Sequence, residues 1–102
     1  MQTLDGYLGK TEFAATRGCC RKTVNKFDRY CRIWIPDYRK ETMLGMPLTN
    51  YQVWVLTIVM HLSKEVRKDI LVKNIVVNRL NKLSKAEYLK GETNNGEYNQ
   101  GM

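Results

Sequence analysis

The chain has 102 residues, 43% of them apolar, enough for one domain with a modest core. Its formal charge of +7 asks for an acidic partner, nucleic acid being the commonest and an anionic membrane surface the rival. The start lacks the charged-then-apolar form of an export signal, and the longest apolar run, residues 53–62, is broken by Thr57 and His61 and is too short to span a bilayer, so the sequence reads as cytoplasmic with no membrane partner.

Charge is distributed in blocks. Residues 17–40 carry a net +6 and residues 63–90 a net +5, while residues 41–62 between them hold only Glu41. Two basic blocks therefore flank an apolar segment.

In chain order, the first element is a short helix. Thr11 is its expected cap, Glu12 sits in the first turn where the helix dipole favours an acid, and Phe13 and Ala14 face inward. Gly18 fits the left-handed stop after that helix, and Cys19 and Cys20 make a turn. A second helix is expected to begin near Arg21. On it Val24, Phe27 and Cys31 fall at i, i+3 and i+7 as one apolar stripe, while Lys22, Asn25, Lys26 and Arg29 form a continuous outward face. Two short helices, a turn containing Gly and a polar second helix amount to a helix-turn-helix pattern.

The cysteines of that stretch invite a metal or redox reading. The chain has three cysteines and one histidine, His61, which lies far from them in sequence. Adjacent Cys19 and Cys20 do not have zinc-ligand spacing, and an odd cysteine count without an export signal does not suggest a disulfide framework. Cys19 and Cys31 are read as small apolar core residues. No metal and no cofactor is expected.

The string from Glu12 to Phe27, EFAATRGCCRKTVNKF, resembles the MerR-type helix-turn-helix, a pattern shared with excisionases and small regulators of bacteria, phages and mobile elements. Glu12, Phe13, Ala14, Gly18, Lys22, Thr23, Val24 and Phe27 match it in position. The resemblance implies a winged-helix-like DNA-binding domain in the bacterial cytoplasm, with the family's basic residue falling on Lys22 and its polar reading position on Asn25. Cys20 stands where the family has the Ser or Thr that caps the recognition helix, and Thr16 where it often has an apolar core residue. The downstream chain has neither a long dimerisation coiled coil nor a cysteine-rich metal loop, so the effector-sensing half of that family is not implied.

Beyond the motif, Pro36 ends any helix before it, and Trp34 between Ile33 and Ile35 reads as a core anchor. Residues 36–47 are expected as a loop or short β-ribbon in the place of a wing, with Arg39 and Lys40 positioned for phosphate and Gly45-Met46-Pro47 as a turn. Thr49-Asn50-Tyr51-Gln52 is a capping box that opens a helix to about Leu62. That helix is apolar around most of its circumference, which suits a central core helix, or else an interface to a second copy or a protein partner through residues 53–62. His61 is read as a helix-end histidine. Residues 63–90 contain neither Gly nor Pro and are expected as helix despite their β-branched residues; residues 91–102 are expected as a disordered polar tail.

The sequence carries no G-x-S-x-G, H-E-x-x-H or P-loop, so no enzyme is expected. The reading is a mainly α domain over residues 1–90, with its helix-turn-helix motif at 11–33, a β wing and additional C-terminal helices. It is expected to bind double-stranded DNA sequence-specifically, as a transcription regulator or excisionase-like factor, through Arg17, Arg21, Lys22, Thr23, Asn25, Lys26, Arg29, Arg39 and Lys40. The alternatives are a protein-interaction module reusing the fold and a non-specific nucleic-acid binder.

Overall fold

A computed structural model describes residues 7–91. The chain is mainly helical. Strand β1 (Tyr7–Leu8) leads into α1 (Lys10–Arg17), α2 (Arg21–Trp34) and a one-turn helix α3 (Pro36–Arg39); after a loop come β2 (Leu48–Thr49), α4 (Asn50–Val66), α5 (Asp69–Val77) and a 3-10 turn (Leu80–Leu83). Residues 85–91 form a last helix, α6. Strands β1 and β2 pair antiparallel, Tyr7 opposite Thr49 and Leu8 opposite Leu48, which fixes the entry to α1 beside the entry to α4. The polar tail expected over 91–102 falls, except for residue 91, outside the described residues.

Helix α4 is the centre of the core. Val55, Leu56 and Val59 are fully buried, and α2, α3 and α5 pack against it with Val24, Phe27, Cys31, Tyr38, Val72 and Val76. Each such apolar side chain contributes about 1.5–3 kcal/mol by leaving water. The start of α4 follows its capping box: Thr49 Oγ1 accepts from the Gln52 amide at 3.2 Å, and Gln52 Oε1 accepts from the Thr49 amide at 3.0 Å. The helix continues a turn past Leu62 and ends at Arg67, which adopts the left-handed conformation at φ 61°.

Three sequence expectations need correcting. The cap of α1 is Gly9, not Thr11: the Glu12 carboxylate reaches back to the Gly9 amide at 3.1 Å, and this sets the first turn one residue before Thr11. Residues 36–47 form no ribbon; the loop alternative holds for 40–47, while 36–39 are helical. Pro36 takes the first position of α3, where its fixed φ and missing N–H are no handicap, and Asp37 stands in the first turn; β2 lies beyond this stretch and pairs with the chain's beginning. Residues 63–90 are not one helix. The left-handed Arg67 separates α4 from α5, and Ser84 starts α6 afresh, its Oγ accepting from the Glu87 amide at 3.1 Å.

Trp34 packs on the core as expected, half-buried and stacked on Tyr30 with ring centroids 4.8 Å apart. His61 is exposed near the end of α4, 3.9 Å from the Glu65 carboxylate one turn on.

Candidate nucleic-acid interface

The α1–α2 connection is built from backbone conformations the sequence dictates. Gly18 is left-handed at φ 68°; its amide reaches the Ala15 carbonyl at 3.2 Å and the Cys19 amide reaches Ala14 at 3.0 Å, a Schellman closure that consumes two orphan carbonyls of α1. Phe13 and Ala14 of α1 and Val24, Phe27 and Cys31 of α2 are buried, so the two helices are locked together on one side. Cys20 occupies the N-cap position of α2, in extended conformation, and its carbonyl accepts from the Thr23 amide at 3.1 Å. Its thiol makes no cap bond to the backbone but lies 3.4 Å from the Thr23 hydroxyl. That hydroxyl, with the neighbouring backbone amides, lowers the Cys20 thiol pKa from its ordinary value. Cys19 is half-buried, and Cys31 is fully buried, where desolvation pushes its thiol well up.

The nine residues expected at the site divide into groups. Arg21, Lys22 and Arg29 are exposed on the outward face of α2 and none has a carboxylate within ion-pair distance among the described residues; Asn25 is half-buried between them. Arg21, Asn25 and Arg29 line one shallow depression of about 170 Å³ together with Lys10, Leu44 and Gly45. Thr23 is half-buried and turned to Cys20. Lys26 is exposed as well but paired: its Nζ lies 3.4 Å from Asp69 Oδ2 and over the Phe27 and Tyr30 rings, and Tyr30 donates to the same carboxylate oxygen at 2.8 Å. That hydrogen bond raises the Tyr30 pKa from its ordinary value. Lys26 is thus part of a joint between α2 and the start of α5.

Arg17 lies on the other side of the turn. It borders a groove of about 490 Å³ floored by Phe27, Ile58 and Met60. Arg39 and Lys40 are exposed, and Arg39 donates to the Arg32 carbonyl at 3.0 Å, near the C-terminal end of α2. Ten residues of helix, about 15 Å, separate that end from Lys22.

Beneath the outward face runs a buried polar network that the sequence reading missed. Asp28 is fully buried; it accepts from Tyr38 Oη at 2.5 Å and from Arg32 Nε at 3.0 Å, and Lys10 Nζ lies 3.3 Å away. Arg32 extends its other nitrogens to the Thr42 carbonyl (2.5 Å), the Thr42 hydroxyl (3.1 Å) and the Met43 carbonyl (3.2 Å). Thr42 donates to Gln52 Oε1 at 3.1 Å, and Gln52 Nε2, itself buried, donates to the Tyr38 carbonyl at 3.2 Å. No buried side-chain polar atom among the described residues lacks a partner. The signals were faint: Asp28 in a run of cations reads as a surface acid. The i, i+4 spacing of Asp28 to Arg32 was the one cue available.

Among the described residues no three of His, Cys, Asp and Glu gather as metal ligands do, and no helix is long and apolar enough to cross a membrane. Comparison of the chain with protein families, with curated proteins and with solved structures returns no match.

Proposed function

We propose that the protein binds double-stranded DNA by setting α2 in the major groove, as a helix-turn-helix factor of the regulator or excisionase type. One observation carries this reading. The first turn of α2 holds Arg21 and Lys22 and no acid. Cations there oppose the positive end of the helix dipole, a small cost to folding, and they leave positive potential where a phosphate is best received. Among the described residues no carboxylate pairs with either of them or with Arg29. Asn25, one turn into the helix, supplies an amide able to bond the N6 and N7 edge of adenine.

Two details sharpen the reading. Lys26 is tied to Asp69, so phosphate contact falls to Arg21, Lys22 and Arg29, with Arg39 and Lys40 forming a separate cationic point at the far end of α2. Helix α4 spends Val55, Leu56 and Val59 on the intramolecular core, while Val53, Trp54, Ile58 and Leu62 are only partly buried.

The test is a salt titration of duplex binding followed by fluorescence anisotropy. Replacing Lys22 and Arg29 together with Ala is expected to lower the slope of log K against log salt by about two and leave the melting temperature in place. An unchanged slope removes α2 from the interface. Competition with unrelated duplex separates sequence-specific from non-specific binding, and Asn25→Ala is expected to flatten sequence preference more than affinity.

A further inference from the structure

Between α3 and β2 the chain turns through Met43-Leu44-Gly45-Met46, and three large apolar side chains stand in solvent there: Met43 is 76%, Leu44 60% and Met46 43% exposed. This is no loose loop. The Met46 amide closes the turn on the Met43 carbonyl at 3.2 Å, and Gly45, at φ 95°, takes the conformation that only glycine accepts cheaply. Behind it, Arg32 grips the Thr42 and Met43 carbonyls, and Arg32 is itself held by buried Asp28. An apolar tip is thus fixed rigidly to the same helix that carries the cationic face. Leu44 and Gly45 share a depression with Arg21, Asn25 and Arg29, and Gly45 and Met46 share another with Arg21.

We infer that this turn is an apolar wedge that enters the minor groove beside the major groove occupied by α2, levering a base step open and bending the duplex. The inference rests on the DNA reading above and adds a second, chemically different contact to it. Met and Leu are among the side chains that open base steps in this way, and the pre-formed turn spares the ordering cost a flexible loop would carry. A second copy of the chain is a poor occupant, since a two-fold contact through this tip would bring Arg21 and Arg29 of each copy together. Three side chains are also well short of the roughly 800 Å² per partner of a stable protein interface. An alternating surface of unpaired cations and apolar tips fits a polyanion with an apolar interior, and stacked bases between phosphates are that.

The experiment uses a 24-base-pair duplex of about mixed composition containing TpA and TpG steps, which open most easily, with a donor and an acceptor dye at its two ends. The full chain is expected to bind it and to shorten the end-to-end distance. The Met43→Ser/Leu44→Ser variant is expected to bind about tenfold more weakly, with an unchanged salt slope because no counterion release is lost, and without bending. Leu44→Phe is expected to keep the affinity and bend at least as strongly, which guards against a variant that merely misfolds; a thermal melt of each variant does the same. Equal affinity and equal bending in the double-Ser variant overturn the wedge while leaving α2 in place, provided the Lys22→Ala/Arg29→Ala protein shows its salt slope lowered by about two. If the unmodified chain binds no duplex but binds phosphatidylserine vesicles through Leu44, both readings fall and the tip belongs to a membrane surface.

Discussion

Helix α2 carries charge on two sides, and the two sides obey different rules. Outward, Arg21, Lys22 and Arg29 stand in water with no carboxylate partner among the described residues. Inward, Asp28 lies at zero exposure with Arg32, Lys10 and Tyr38 closed around it. The inner group has surrendered most of its hydration and holds because both Asp28 oxygens are answered; removing one member strands the rest. The outer group keeps its hydration, contributes little to the fold, and remains available to an external anion. Within one 14-residue helix, then, pairing marks what is structural and the lack of pairing marks what stays open to solvent and its ions.

The largest expected effect is on the inner side. Asp28→Ala leaves buried Lys10 and part-buried Arg32 without a counter-charge and is expected to cost about 3–5 kcal/mol, a large share of the 5–15 typical of a domain. Urea denaturation measures it, and a loss below about 1 kcal/mol breaks the distinction between the two sides.

Next comes the cap between them. Cys20→Ser supplies the oxygen that the α2 N-cap lacks and is expected to raise the melting temperature by about 3–6 °C. In the unmodified chain a maleimide is expected to label exposed Cys20 first, helped by its lowered pKa, and buried Cys31 last or not at all, as peptide mass spectrometry would reveal.

Lys22→Glu sharpens the comparison because its two effects have opposite sign. An acid in the first turn suits the helix dipole, so the melting temperature is expected to rise by about 2–4 °C while duplex affinity falls at least tenfold. A substitution that lowers both would mean Lys22 is structural.

The smallest effect concerns Lys26, which belongs to neither side. Its partner Asp69 is half-exposed, so Asp69→Ala is expected to shift the melting temperature by less than about 2 °C. Freed from Asp69, Lys26 rejoins the outward face, and duplex affinity is expected to rise about two- to threefold at low salt.

The parts of this fold that were legible in the sequence are those set by local rules. The apolar stripe Val24, Phe27 and Cys31, the left-handed Gly18 and the Thr49–Gln52 capping box each depend on residues within two turns of one another, and each is found where the pattern puts it. What was illegible depends on partners far along the chain. Asp28 is buried because Lys10 and Tyr38 come to it from α1 and α3. Gln52 looked complete as a capping residue, yet it also bonds Thr42 and the Tyr38 carbonyl. Arg67 ends α4 in a left-handed conformation for which a β-branched, basic stretch gives no warning. The Ser84-Lys85-Ala86-Glu87 box was readable in principle and marks the true start of α6.

The start of α6 has a consequence for how portable the basic face is. Lys85 donates its amide to Asp37 at 2.9 Å and its ammonium to Glu41 at 2.6 Å, and the Tyr51 hydroxyl donates to the Leu83 carbonyl. Glu41 in turn accepts from Thr49 at 2.8 Å, beside the Gln52 that closes on Thr42 and, through it, on Arg32. A graft of α1 and α2 alone onto another scaffold would therefore carry the cations but not the acceptors that fix Arg32, and with them the apolar turn. A fragment that keeps these bonds together extends to residue 85, some fifty residues beyond the end of α2.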